Sequence, residues 1–176
     1  MHRGKPNTDV EEVMQSAIAR TCSYFETEFG ISVTEVDAAV DNRDSLTLLD
    51  MTAIIGMGGL VNLLIAFSFQ NGLIDALCQH MTRGIQIEPD EMAMYREAAA
   101  GEVVNTILGH CTIDLQKLDR RGISMTSPVV LDRAKTIRRT KNSMFFSRDL
   151  NTIFGQMSIN LVRPLELFDK NLDYKK

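Results

Sequence analysis

Residues 90–110 read DEMAMYREAAAGEVVNTILGH. At about 100° per residue, Ala93, Ala100, Val103, Val104 and Ile107 fall on one side of a helix. That spacing predicts a long amphipathic helix from about Asp90 to His110, its apolar side laid on a sheet. Pro89 stands in the first turn, where its missing N–H costs nothing. Glu102 and Asn105 are three apart, so they are neighbours on the opposite side. Ala98 and Gly109 share that outward face, and Gly101 flanks it. An exposed glycine weakens a helix, but small residues let another backbone approach closely. Taken alone, a glutamate and an asparagine on a helix exterior read as solvated surface; the small residues would also let a partner dock there and receive both side chains into its own site.

Upstream, Met51–Phe69 (MTAIIGMGGLVNLLIAFSF) holds no charged residue. Its length would permit a membrane span. Gly56, Gly58 and Gly59 near its middle favour two buried strands joined by a glycine turn, with strands over Ser45–Ile55 and Leu60–Phe69. Gly56-Met57-Gly58-Gly59 lacks the third glycine and following helix of a dinucleotide loop. Leu73–Met81 has helical spacing and ends near Gly84. Val10, Val13, Met14, Ala17, Ile18, Cys22 and Phe25 predict a first long helix from Asp9 to about Phe29. Thr8 and Glu11 form its capping box, and Gly30 stops it. Ile31–Val40 reads as a strand before the turn Asp41-Asn42-Arg43-Asp44.

Downstream, Ile123–Val130, Lys135–Arg139, Ser143–Ser147 and Thr152–Val162 read as strands. The order helix, strands, short helix, helix, strands is a loose internal repetition. Aligning the two long helices by Gly30 and Gly109 sets Ser23 and Glu26 against Glu102 and Asn105. The expected architecture is α+β, an antiparallel sheet with two long helices packed on one face. No linker divides the chain, so residues 1–176 read as one domain, with 1–7 and 169–176 frayed. The chain has 176 residues, a length at which roughly 70% of the unfolded surface can be buried.

The net charge of −4 argues against a general nucleic-acid binder. Cys22, Cys78 and Cys111 form no C-x-x-C pair, which fits a reducing, cytoplasmic setting. The first residues, MHRGKPNTDV, hold no apolar run of a signal peptide. His110 and Cys111, with Cys78 and His80 elsewhere, do not match zinc spacing, so no metal site is expected. The histidines and cysteines fall in no order suited to nucleophilic catalysis. Arg133, Lys135, Arg138, Arg139 and Lys141 form a basic cluster. It reads as a solvated hairpin, or as a face that steers an acidic partner.

Twenty-two residues separate Asn105 from Pro128, giving Glu102-x2-Asn105-x22-Pro128. This resembles the signature of the CheC/CheX/FliY family of chemotaxis phosphatases. The likeness in element order covers about residues 8–163. It implies a phosphatase that accelerates hydrolysis of the aspartyl-phosphate on a CheY-type response-regulator receiver domain. Glu102 would pair with a receiver lysine. Asn105 would orient the attacking water. Mg²⁺ would belong to the receiver, and this chain would need no cofactor of its own. The family pattern has Asp or Ser four residues before the Glu, where this chain has Ala98. That departure sustains a second expectation, a non-catalytic protein of the same fold that binds a receiver or another signalling or motor partner. No second Glu-x2-Asn occurs in the first helix. One site points to the CheX-like branch, whose resemblance implies a homodimer.

Overall fold

The computed structural model describes residues 8–164 except 37–39, 42–43, 60–61, 119–121, 140 and 142. The frayed ends expected at 1–7 and 169–176 lie outside the described residues, as does the side chain of Thr8 in the capping box. The chain runs α1 (Thr8–Tyr24), a π-helical turn (Phe25–Phe29), β1 (Thr34–Glu35), β2 (Val40–Asp41), β3 (Ser45–Leu48), β4 (Met51–Gly58), β5 (Leu63–Phe69) and α2 (Asn71–Met81). It continues through α3 (Met92–Leu118), β6 (Ser124–Met125), β7 (Val129–Asp132), β8 (Lys135–Arg138), β9 (Ser143–Thr152) and β10 (Gly155–Pro164).

The main sheet is antiparallel in the order β1-β9-β10-β5-β4-β6, with β2 also on β9 and β7 also on β4. Alternate residues of a strand face opposite ways. Met51, Ala53, Ile55 and Met57 of β4, Ile65, Phe67 and Phe69 of β5, and Met157, Ile159 and Leu161 of β10 share one face. There they join Val13, Ala17, Val103, Val104 and Ile107 in one core. The two long helices lie on that single face, as the sequence predicted. The opposite face is buried in part, and buried polar groups lie on it. Thr52 Oγ1 lies 2.8 Å from Ser68 Oγ, and Ser147 Oγ lies 2.7 Å from Asn160 Oδ1. A two-stranded ribbon, β3 paired with β8, covers part of it. Leu46, Thr47 and Leu49 close a cavity of about 220 Å³ over Ser147, Ser158 and Asn160. Burial along one face, and of Thr52, Ala66 and Ser68 on the other, fits a segment without charge. The segment is the β4–β5 hairpin, and among the described residues no helix is long and apolar enough to cross a membrane.

The internal repetition is real and has a fixed register. Adding 90 to the buried positions Val10, Val13, Met14, Ala17, Ile18, Thr21 and Phe25 of the first helix gives Ala100, Val103, Val104, Ile107, Leu108, Cys111 and Leu115, all buried. The same step carries β1 onto β6 and β3 onto β8. The pairings obey it: β1 on β9 mirrors β6 on β4, β2 on β9 mirrors β7 on β4, and β5–β10 and β3–β8 map onto themselves.

Several boundaries differ from expectation. Gly109 lies inside α3, which runs to Leu118 because Cys111 and Leu115 are buried. Gly109 is therefore no terminus, and the glycine alignment of the two helices is wrong. Ala93 is exposed, not packed on the sheet. Ser45–Ile55 is two strands in different sheets. Asp50 makes the corner, its Oδ2 accepting from Asn71 N at 2.8 Å and its carbonyl from Arg133 N at 2.7 Å. Gly56 and Gly58 belong to β4, so the turn starts at Gly59, whose φ is +116°. Ile31–Val40 keeps only the short β1 and the start of β2, while Ile123–Val130 breaks into β6 and β7.

A bidentate ion pair joins the helices: Arg20 Nε and Nη2 reach Asp114 Oδ2 and Oδ1 at 2.6 and 2.5 Å. The hydrogen bond from Arg20, aided by its charge, holds the Asp114 carboxyl below its ordinary value of 3.8. A depressed carboxyl stabilises the fold above that value and loses the contribution as the pH falls through the folded-state pKa. Asp114→Asn should therefore melt below the parent at pH 7, with the gap closing under about pH 4. Melting curves from pH 7 to 2.5 measure this. A gap that does not change with pH would refute the ionic contribution.

Candidate functional site

The site stands on the N-terminal half of α3. Ala99, Ala100, Val103, Val104, Ile107 and Leu108 are buried and fix the helix rotation. That rotation leaves Ala98, Glu102 and Asn105 exposed on the outward face, with Gly109 half-buried beside them. The structure thus brings both predicted site residues together on one convex surface. Neither lines the cleft between α2 and the β9–β10 turn or the cavity under the ribbon. The cleft of about 980 Å³ lies elsewhere, between α2, the 82–92 connection and the β9–β10 turn, lined by Phe29, His80, Ile85, Met92 and Phe154 among others.

Gly101 and Pro128, separate in sequence, meet here. A Cβ on Gly101 would stand 3.5 Å from Pro128 Cγ and 3.8 Å from Val130 Cγ2. Gly101 is buried under that ring, so its small size serves the β7 contact, not the outward face. The contact sets the start of β7 against the turn of α3 that carries Glu102. This gives Pro128 a physical role that spacing alone did not reveal.

Sequence reading also missed Tyr24. It comes from the end of α1, and its ring meets Phe29 edge-on at 5.4 Å. Burial, opposed by contact with Thr106 and reinforced by the charges of Glu28 and Glu102, raises its phenol above the ordinary value. Tyr24 thus touches Thr106, the neighbour of Asn105, and feels the charge of Glu102. Helical periodicity could not show this, because the contact crosses between helices.

The 90-residue step places Glu12 and Gln15 of α1 at the positions of Glu102 and Asn105, and Glu11 at that of Gly101. This corrects the earlier match with Ser23 and Glu26. The amide of Gln15 donates to Glu11 Oε1 at 2.8 Å, and Glu11 Oε2 accepts from the buried Arg148 at 3.4 Å. The α1 face is therefore crossed by a side-chain network where α3 offers Gly101.

Burial pushes the Cys111 thiol up to about 11, and desolvation raises Cys22 and Cys78 as well. None is activated as a nucleophile. Among the described residues, no three His, Cys, Asp or Glu side chains stand together to hold a metal ion.

No family model matches this sequence, and no curated protein matches it. Solved structures do. The chemotaxis protein CheX from Desulfovibrio desulfuricans is 19% identical with a TM-score of 0.72, over 85% of this chain and 97% of that one. The fold is that of the CheC and CheX chemotaxis proteins. A putative chemotaxis protein from Desulfovibrio vulgaris Hildenborough is 24% identical with a TM-score of 0.71, over 85% of this chain and 95% of the other. The CheX–CheY–BeF3–Mg²⁺ complex from Borrelia burgdorferi aligns at 13% identity and a TM-score of 0.57, over 88% and 97%. The predicted CheX-like α+β architecture is thus observed.

The packing of Gly101 yields a prediction. Its Cβ contact with Pro128 would be ordinary, and Ala gains helix propensity of up to about 1 kcal/mol. Gly101→Ala should therefore be as stable as the parent or more so in a urea titration. Gly101→Leu should be less stable, because its branches must displace the proline ring. Equal stability of the Leu variant would count against the packed contact.

Proposed function

We propose that this protein is a phosphatase for the aspartyl-phosphate of a CheY-type receiver domain. One observation carries the reading: Glu102 and Asn105 stand exposed together on the outward face of α3, away from the cleft beside α2. Such a face suits insertion into a partner's site better than enclosure of a small substrate. Support comes from a CheX of the same fold that is seen in complex with CheY.

Glu102 is the docking carboxylate, pairing with a cation on the receiver. The Asn105 amide enters the receiver's site and holds a water in line with phosphorus. The water oxygen bonds to phosphorus as the bond to the aspartyl oxygen breaks, releasing phosphate and a free carboxylate. An amide is no base at neutral pH, so its contribution is positioning, which dominates catalysis of phosphoryl transfer. The Mg²⁺ of this reaction belongs to the receiver.

Ala98 favours a second reading. It removes a polar contact beside Glu102, which fits a protein that binds a receiver without hydrolysis. The lifetime of phosphate on a receiver, followed with Mg²⁺ present, separates the two. The parent should shorten it, and Asn105→Ala should lose about 10²-fold of the acceleration or more while binding persists. Glu102→Ala should raise the protein concentration needed for half-maximal rate. Gln15→Ala should act like the parent, since α1 has no asparagine and its amide is engaged. Parent-like hydrolysis by Asn105→Ala would end the assignment, and binding without any change in lifetime would select the second reading.

A further inference from the structure

The two strands of the ribbon are internal equivalents with opposite surroundings. In β3, Leu46 and Leu48 are 2% and 1% exposed. The positions 90 residues later are Thr136 and Arg138 of β8, and all four β8 residues are exposed. The ribbon is therefore lopsided: β3 rests on the sheet and β8 stands clear of it. Among the described residues β8 pairs with β3 alone, so one row of its backbone groups faces outward.

That edge is strongly cationic. Arg133, Lys135, Arg138 and Lys141 are exposed, while Arg139 is engaged by Asp44 at 3.2 Å. Asp132 is the acid nearest in sequence. Ile137 adds an apolar patch, 39% exposed. The corner leading into β8 is fixed rather than loose. Arg133 adopts φ +133°, a conformation that a side chain disfavours, while its N–H donates to the Asp50 carbonyl at 2.7 Å. The whole chain carries a net charge of −4, so this concentration of positive charge runs against the composition.

We propose that β8 binds an extended acidic segment of a partner protein as a third strand of the ribbon. The backbone edge supplies the ladder, and Lys135 and Arg138 select carboxylates. Alternation puts those two cations on opposite faces of the strand, so the fitting segment carries acids three residues apart with an apolar residue against Ile137. The surface lies across the sheet from Asn105, since the ribbon covers the face opposite the helices. It is thus independent of the phosphatase reading. The competing physical account is protective, because lysine on an edge strand discourages self-pairing.

The test is an amide-resolved NMR titration of the full chain with the peptide acetyl-EVTEVTE-amide. Shifts confined to residues 133–141 are expected. The control acetyl-EPTEPTE-amide keeps the charge. Its prolines fall in both backbone rows, so whichever row meets β8 loses a donor, and binding should weaken at least about tenfold. Lys135→Glu with Arg138→Glu should weaken the first peptide similarly, with the spectrum elsewhere unchanged. Absence of shifts at millimolar peptide would overturn the proposal in favour of edge protection. Equal binding of the two peptides, or tighter binding of DNA or phosphatidylserine vesicles at the same amides, would overturn it in favour of a general polyanion surface. Self-association through these amides without peptide would show that a second copy of this chain occupies the edge.

Discussion

The pairing of β5 with β10 is the constraint on which the rest depends. Each half of the chain contributes one hairpin, β4–β5 or β9–β10, and each hairpin alone would leave an open apolar edge. An isolated hairpin is marginal in water. Joining them from Met157 against Phe69 to Val162 against Leu64 makes one sheet wide enough to receive both long helices. The same join forces a near two-fold arrangement. Each half's helix meets an equivalent apolar face, and each half's short strands edge the other half's hairpin.

That symmetry has consequences for the site. Equivalent packing gives α1 and α3 the same rotation, so Glu12 and Gln15 project as Glu102 and Asn105 do. What separates the faces is the residue before the glutamate. In α3 it is Gly101, lying under Pro128, and the helix presents its two polar side chains with little beside them. In α1 it is Glu11, which bridges Arg148 and Gln15. Arg148 is a charge on the helix-facing side of the sheet and needs carboxylates, taking Glu35 at 3.8 Å as well. Burying such a group without partners would cost several kcal/mol. A carboxylate at position 11 therefore serves the fold, and the face it crosses is committed to structure. The duplicated scaffold crosses one face with a structural network and keeps Gly101 in its place on the other.

Much of this was legible in the sequence because helical periodicity reports burial directly. Val103, Val104 and Ile107 fixed one side of α3, and the exposure of Glu102 and Asn105 followed. The α+β class followed from element order. Features that arise between elements were not legible. Gly101 read as part of an open surface because Pro128 lies 27 positions away. The break at Asp50 was hidden, since apolar residues continue on both sides and only hydrogen bonds to Asn71 and Arg133 show the corner. Gly109 read as a stop because nothing local reveals that Cys111 and Leu115 are still buried. The repeat escaped for a related reason. Its identity lies in burial, where Thr21 matches Cys111 and Phe25 matches Leu115, and chemical type is not preserved.

The departures from symmetry are the informative positions. Where both halves need burial they keep it, and mostly with different residues, Val13 and Val103 being the same. Where the requirement lapses, the chemistry diverges, and it does so at Glu11 against Gly101 and at Leu46 and Leu48 against Thr136 and Arg138. The first divergence seats Pro128 against α3 where α1 carries the Glu11 network, and the second turns a covering strand into a cationic edge. Each has a cost: Gly101 gives up about 1 kcal/mol of helix propensity for its close contact with Pro128, and an uncovered strand gives up apolar burial. A fold that could satisfy its core by repeating itself has instead given up apolar burial along β8. That loss is the physical reason to look for a partner there.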